Sequence, residues 1–185
     1  SSDLITLLAK GYMARERAPT ESNAARRALS IGNPHATLHT TTEPSMIFAL
    51  LGYGRFGQAF ADLLHAAGHV VRVYDPHAEV PPARAGASLA ATVHGADWVV
   101  LAMPVPMMGR ALANLRPLLD PAQTVIDVGS VKEHPCALLD EYLGDTVAHT
   151  GTHPLFGPLS LARGEPLRVV ICPSAAHPSA AARTR

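Results

Sequence analysis

Residues Met46 to Gly57 read Met-Ile-Phe-Ala-Leu-Leu-Gly-Tyr-Gly-Arg-Phe-Gly. An apolar run passes directly into a G-x-G-x-x-G turn. Apolar residues then recur at helical spacing (Phe56, Ala59, Phe60, Leu63, Leu64, Ala67) until Gly68 stops the pattern. Strand, glycine turn and helix in that order leave few folds open. The sequence that follows keeps the alternation. His69–Tyr74 reads as a second strand, and Pro76 to Gly95 is rich in Pro, Ala and Gly, with room for a stub of helix and a short strand. Asp97–Met103 is a buried strand stopped by Pro104, and Met107–Arg116 is a helix with Leu112 and Leu115 inward, ended by Pro117. Thr124–Val128 is a strand, Lys132–Leu143 a helix with Pro135 in its first turn, and Val147–Thr150 and Leu167–Cys172 are late strands. Alternating strands and helices predict a parallel sheet covered on both faces, which binds ligands at the carboxyl ends of its strands. The expected class is α/β, a Rossmann-type doubly wound and mostly parallel sheet.

The expected organisation is an N-terminal extension and linker over 1–45, a nucleotide-binding domain over 46–173 and a disordered tail over 174–185. Ser2–Lys10 and Glu21–Leu29 are helical candidates, the second behind Thr20 as N-cap, and Ile31 to Pro44 is a polar stretch with four threonines. The tail is mostly Ala, Ser, Pro and Arg and is expected to fray.

The glycine turn has a physical reading. Gly52 permits the tight exit from the strand, Gly54 lets backbone approach a pyrophosphate, and Gly57 lets the helix pack closely. Amides near Arg55 and Phe56 would point at phosphate oxygens. Asp75 ends the second strand, 18 positions after Gly57, where its carboxylate would accept bonds from the adenosine ribose. A carboxylate repels a 2′-phosphate, so NAD is favoured over NADP; Arg72 argues the other way only if its side chain turns toward the ribose. The competing reading of Asp75-Pro76 is a simple turn starter. Pro104 joins the candidate cofactor residues from the end of the third strand.

Two further segments carry chemistry: Asp127-Val-Gly-Ser-Val-Lys132 and His153-Pro-Leu-Phe-Gly-Pro158. With the glycine turn they resemble the signature set of prephenate and arogenate dehydrogenases over about residues 46–172. The resemblance implies oxidative decarboxylation: a base takes the substrate's C4 hydroxyl proton, hydride leaves for a nicotinamide, and loss of CO2 makes the ring aromatic. Prephenate would give 4-hydroxyphenylpyruvate, and arogenate would give tyrosine. It implies His153 as the residue that deprotonates the hydroxyl and Ser130 as a hydrogen-bonding partner that orients substrate or imidazole, so that Ser130, Lys132 and His153 face the substrate. Lys132 either supports the anionic site or pairs with a neighbouring carboxylate, and both readings stay open. Pro154 would stiffen the loop beside His153. Asp127 reads as a strand-end structural residue rather than a base.

The resemblance also implies a second, mostly helical domain that completes the substrate pocket and forms the dimer. Arg185 follows soon after the last strand, so the expectation is either a truncated product that lacks this domain or a homodimer or partner chain that completes the site. The alternative is a non-catalytic nucleotide-binding or regulatory remnant. A third reading, a β-hydroxyacid dehydrogenase sharing the glycine turn, fits His153–Pro158 poorly.

Other partners find little support. Lys+Arg 15 balances Asp+Glu 15 and aromatics are 5%, unlike a nucleic-acid binder. No apolar run approaches the roughly 20 residues that cross a bilayer, and no signal peptide is visible. A cytoplasmic setting is expected, with a plastid left open. Cys136 and Cys172 read as packing residues. His149 and His153 are four apart, but Gly151 and Pro154 argue against a helix that would aim both at one metal, so no metal is expected.

Overall fold

The computed structural model describes residues 45–184. The expectations for the extension over 1–45 fall outside them, apart from its last residue. The order of elements is β1 (Ile47–Leu51), α1 (Arg55–Ala66), β2 (Val70–Tyr74), α2 (Leu89–Val93), β3 (Trp98–Leu101), α3 (Val105–Leu115), a 3-10 turn (Arg116–Leu118), β4 (Thr124–Asp127), α4 (Glu133–Leu143), β5 (Ala148–Pro154), α5 (Pro158–Ala162), β6 (Val169–Pro173) and α6 (Pro178–Thr184). Among the described residues no helix is long and apolar enough to cross a membrane.

The six strands form one sheet in the order β2-β1-β3-β4-β5-β6. Strands β1 to β5 are parallel to their neighbours and β6 is antiparallel to β5. The chain goes from β1 outward to β2 and returns to place β3 on the other side of β1. The strand order therefore reverses between β1 and β3, where doubly wound sheets open a crevice.

Strand alternation divides the core. Phe48 and Leu50 of β1, Trp98 and Val100 of β3 and Ile126 of β4 pack on one face with Phe60, Leu63 and Leu64 of α1. Ala49, Leu51, Val99, Leu101 and Val125 face the other way, onto Met108, Leu112 and Leu115 of α3 and Leu139 and Leu143 of α4. A sheet buried on both faces needs near-continuous apolar strands, which is why Phe48–Leu51 and Trp98–Leu101 carry no polar residue. Between β2 and β3 the crossover is abbreviated. Helix α2 has five residues, capped by Ser88 Oγ accepting from the Ala91 amide at 3.1 Å. Val73 makes an isolated parallel bridge to Ala85, with Val73 N donating to Arg84 O at 2.7 Å and Gly86 N to Val73 O at 2.9 Å. That bridge covers the free edge of β2.

Two expectations need correction. The strand expected over 147–150 runs on through Thr152, His153 and Pro154, so His153 sits on a strand and not in a loop. Strand β5 is held on both sides, by β4 as far as Gly151 and by β6 from Thr150 to Pro154. The tail expected to fray carries α6, which buries Ala180, Ala181 and Thr184. Small residues let it lie close, and polar contacts hold its approach. Ser174 Oγ donates to Asp140 Oδ1 at 2.7 Å, His149 Nε2 bonds the same oxygen at 2.8 Å, and His177 Nε2 bonds Gly144 O at 2.8 Å. The bond from His149, followed by that from Ser174, holds the Asp140 carboxyl below the usual carboxylate range.

Ala180 is fully buried, so Ala180→Asp places an unpartnered charge there and is expected to lower stability by about 2 kcal/mol or more. Urea denaturation measures this; an unmoved midpoint would mean that the segment contributes nothing to the fold.

Candidate active site

The turn after β1 is built from backbone alone. Gly52 has φ 109°, a region that favours glycine, and a Cβ there would lie 2.6 Å from the carbonyl oxygen of Ala102, just past β3. A Cβ on Gly57 would collide with the carbonyl oxygen of Gly52. The two glycines thus press the start of α1 against the turn, and the turn against the end of β3. Gly54 differs: a Cβ there would meet nothing within 4 Å. It is the exposed N-cap of α1 and supplies no side-chain cap. The amides of Arg55 and Phe56 have no partner within the helix, because the first helical bond runs from Gln58 N to Gly54 O at 2.9 Å. Pro104, exposed, takes the equivalent N-cap place before α3.

Asp75 braces this turn. Its Oδ2 accepts from the Tyr53 amide at 2.7 Å and its Oδ1 from the His77 amide at 2.8 Å. A carboxylate has about four acceptor sites, so each oxygen keeps capacity for another donor. Arg72 turns away, donating to His94 O at 2.6 Å at the amino end of β3.

The second half of the edge lies at the ends of β4 and β5. Asp127, fully buried at the end of β4, accepts from Gly129 N at 2.9 Å and Thr152 N at 3.3 Å and forms an ion pair with Lys132. Lys132 Nζ also donates to Thr152 O at 2.6 Å, and Thr152 Oγ1 donates to Asp127 O at 2.5 Å. Burial pushes the Asp127 carboxyl above its ordinary range, while Lys132 and the amides of Gly129 and Thr152 pull it back. Lys132 is therefore committed to a carboxylate and a carbonyl. Ser130 is exposed in the loop between β4 and α4, and His153 is half-buried on β5. Among the described residues nothing hydrogen-bonds the Ser130 hydroxyl or the His153 ring. Residues 151 and 153 share one face of β5. A Cβ on Gly151 would lie 2.5 Å from Cys136 Sγ and 3.4 Å from Asp127 Oδ1, so His153 lies on the face that meets the first turn of α4.

All the candidates from the sequence stand on the carboxyl edge, in two groups. Gly52, Gly54, Arg55, Phe56, Gly57, Asp75 and Pro104 gather around β1, β2 and β3; Ser130, Lys132 and His153 gather at β4 and β5. From β1 to β5 is roughly 14 Å at ordinary strand spacing. Sequence reasoning missed Phe156, which joins the groups. Its buried ring lies 6.0 Å from that of Phe56, which in turn stacks on Phe60 at 5.5 Å. A signal was present: of only four phenylalanines in the chain, two fall inside the motifs. Sequence reasoning also missed Thr152, whose hydroxyl and amide both bind Asp127 at the β4 end and whose carbonyl accepts from Lys132.

Residues 64–181 match the family model described as prephenate dehydrogenase, nucleotide-binding domain. The match opens within α1, so the glycine turn rests on its own geometry. The chain is 31% identical over 107 residues to the T-protein of Haemophilus influenzae, covering 57% of this chain and 26% of that protein. It is 29% identical over 153 residues to arogenate dehydrogenase 1, chloroplastic, of Arabidopsis thaliana, covering 75% and 23%. The prephenate dehydrogenase of A. aeolicus, solved in complex with hydroxyphenyl propionate and NAD+, has the same fold, with a TM-score of 0.61 and 22% identity over 76% of this chain and 55% of that one. The chain thus spans about a quarter of the length of these two curated relatives.

The glycines separate by substitution. Gly57→Ala is expected to cost about 1–3 kcal/mol through overpacking against fixed backbone, and Gly54→Ala to stay within about 0.5 kcal/mol. Denaturant melts of the two variants check the order; equal losses would contradict the geometry of the turn.

Proposed function

Because the chain belongs to the prephenate dehydrogenase family through its nucleotide-binding domain, we propose that it is the NAD-binding and proton-accepting part of an enzyme that oxidatively decarboxylates prephenate or arogenate. One observation carries the reading: an uncapped helix start with open space at Gly54, and a half-buried imidazole at residue 153, stand on the same edge of one sheet. The open side of Gly54 and the amides of Arg55 and Phe56 suit a pyrophosphate, which a helix N-terminus attracts. Asp75 has acceptor capacity for ribose hydroxyls and would repel a 2′-phosphate, and Arg72 is engaged elsewhere, which supports NAD over NADP. The A. aeolicus enzyme, by name a prephenate dehydrogenase, binds NAD+ in this fold.

NAD, when bound, supplies the hydride acceptor. The chain's own work is to hold and move a proton. An imidazole nitrogen of His153 takes the proton of the C4 hydroxyl; histidine is the side-chain type suited to accept and release a proton near neutral pH. Ser130, exposed in the loop after β4 on the same edge, orients the substrate oxygen or the ring. Loss of CO2 then makes the ring aromatic. Val131, Leu155 and Leu159 stand 60%, 51% and 66% exposed in the segments flanking Ser130 and His153. A homodimer partner or a completing chain is the reading for what covers them.

His153→Asn is expected to keep NAD affinity and lower kcat about 100-fold or more, followed by NADH absorbance with prephenate and with arogenate. An unchanged rate removes His153 from the mechanism, and NAD binding without turnover by the wild type supports a purely nucleotide-binding role. Asp75→Ala is expected to weaken NAD more than NADP in calorimetric titration; equal weakening would sink the ribose assignment.

A further inference from the structure

Among the described residues nothing hydrogen-bonds the His153 ring, yet the residue before it is tied through its amide, its hydroxyl and its carbonyl. Thr152 is fixed from three sides. Its amide donates to Asp127 Oδ1 at 3.3 Å, its hydroxyl donates to Asp127 O at 2.5 Å, and its carbonyl accepts from Lys132 Nζ at 2.6 Å. Lys132 is in turn ion-paired with Asp127 Oδ2. The three residues close a loop from the end of β4 through the N-cap of α4 to the peptide that carries His153. Lys132, with its side chain 16% exposed, is placed to pull on a carbonyl of β5 and not to reach into solvent.

We propose that Asp127, Lys132 and Thr152 form a clamp that sets the position of the His153 ring, so that Asp127 and Lys132 are positioning residues and not substrate contacts. This deepens the functional reading and rests on it for its kinetic consequence, though not for its structural one. The physical case is one of preorganisation. A ring that must meet a hydroxyl at hydrogen-bond distance gains its rate from being held there, and a misplacement of about 1 Å costs on the order of 100-fold. The ring has one backbone to hold it, and the clamp grips that backbone on the residue next to it. Burying the pair serves the same end. Water does not compete for the carbonyl of Thr152, and charge-assisted bonds are shorter and stronger than neutral ones.

Removing one member leaves the other charge unpaired and risks the fold. The test therefore replaces both charges together, as Asp127→Asn with Lys132→Met, and separately trims the clamp with Thr152→Val and Thr152→Ser. Histidine ring resonances of the 185-residue chain are recorded by NMR, with His153→Asn identifying the signal. The clamp predicts that the double variant and Thr152→Val shift or broaden the His153 signal, that those of His149 and His177 stay in place, and that Thr152→Ser restores the original signal. A His153 signal unmoved in both variants overturns the proposal, whatever the activity. In kinetics, the clamp predicts a kcat lower by 10- to 100-fold with KM and NAD affinity within about threefold. A raised KM at unchanged kcat would make Lys132 a substrate contact and overturn it as well. If His153→Asn leaves the rate untouched while the ring signal still responds to the clamp, the functional reading has failed and the clamp has not.

Discussion

At the point where the strand order reverses, the carbonyl oxygen of Ala102 lies 2.6 Å from where a Cβ on residue 52 would stand, and the carbonyl of residue 52 blocks a Cβ on residue 57. Three backbones meet there with no side chain between them. This contact fixes where α1 begins: directly against the sheet, with its free amides at the edge and its apolar face on Phe48 and Leu50. A helix starting one residue later would turn that face by about 100° and lift Phe60, Leu63 and Leu64 out of register with the strands. The same approach that makes the core possible therefore exposes the amide end of the helix where a phosphate would be met. Gly54 alone among the three glycines of the turn has space around it, and that space sets it apart from the two packing glycines.

From this fixed start the two halves of the edge are coupled on both faces of the sheet. On one face, Phe56 of α1 touches Phe156, just past β5. On the other, the end of β4 holds Thr152 through Asp127 and Lys132. His153 lies between these attachments along the chain, one residue after Thr152 and three before Phe156. Antiparallel β6 completes the support, because its pairing runs from Thr150 to Pro154 and so includes the histidine itself. A residue on a strand paired along its length is held more firmly than one on a loop.

Much of this was legible in the sequence, and for identifiable reasons. The apolar runs of β1 and β3 and the helical face of α1 are local signals, and each falls within one or two residues of its expected bounds. The family resemblance rested on three motifs, and the family match covers two of them. What was not legible depended on partners far along the chain. His153 read as a loop residue because the local strand signal ended at Thr150, while the pairing that carries the strand on to Pro154 comes from residues 169–173. The tail read as frayed because its alanines and serines lack an apolar stripe; what docks it is Asp140, 34 positions before Ser174. Lys132 read equally as a substrate cation and as a paired charge, and the partners it meets, the Asp127 carboxylate and the Thr152 carbonyl, lie on strands 5 and 20 positions away in sequence.

Gly151 ties these elements into one requirement. Cys136 Sγ fills the place a Cβ on residue 151 would take, at 2.5 Å, with Cys172 Cβ at 3.4 Å from the same point. The amide of Cys136 donates to Lys132 O at 2.9 Å, so the thiol and the clamp lysine belong to one helical turn. A larger residue at 151 would press on that turn and move Lys132 with it, away from Asp127 and Thr152. The smallness of one strand residue thus sets how closely the first turn of α4 approaches the sheet. That approach decides whether a lysine at the N-cap reaches a carbonyl two strands from the reversal point of the sheet. In this edge, packing at a residue with no chemistry of its own precedes every polar contact that holds the histidine.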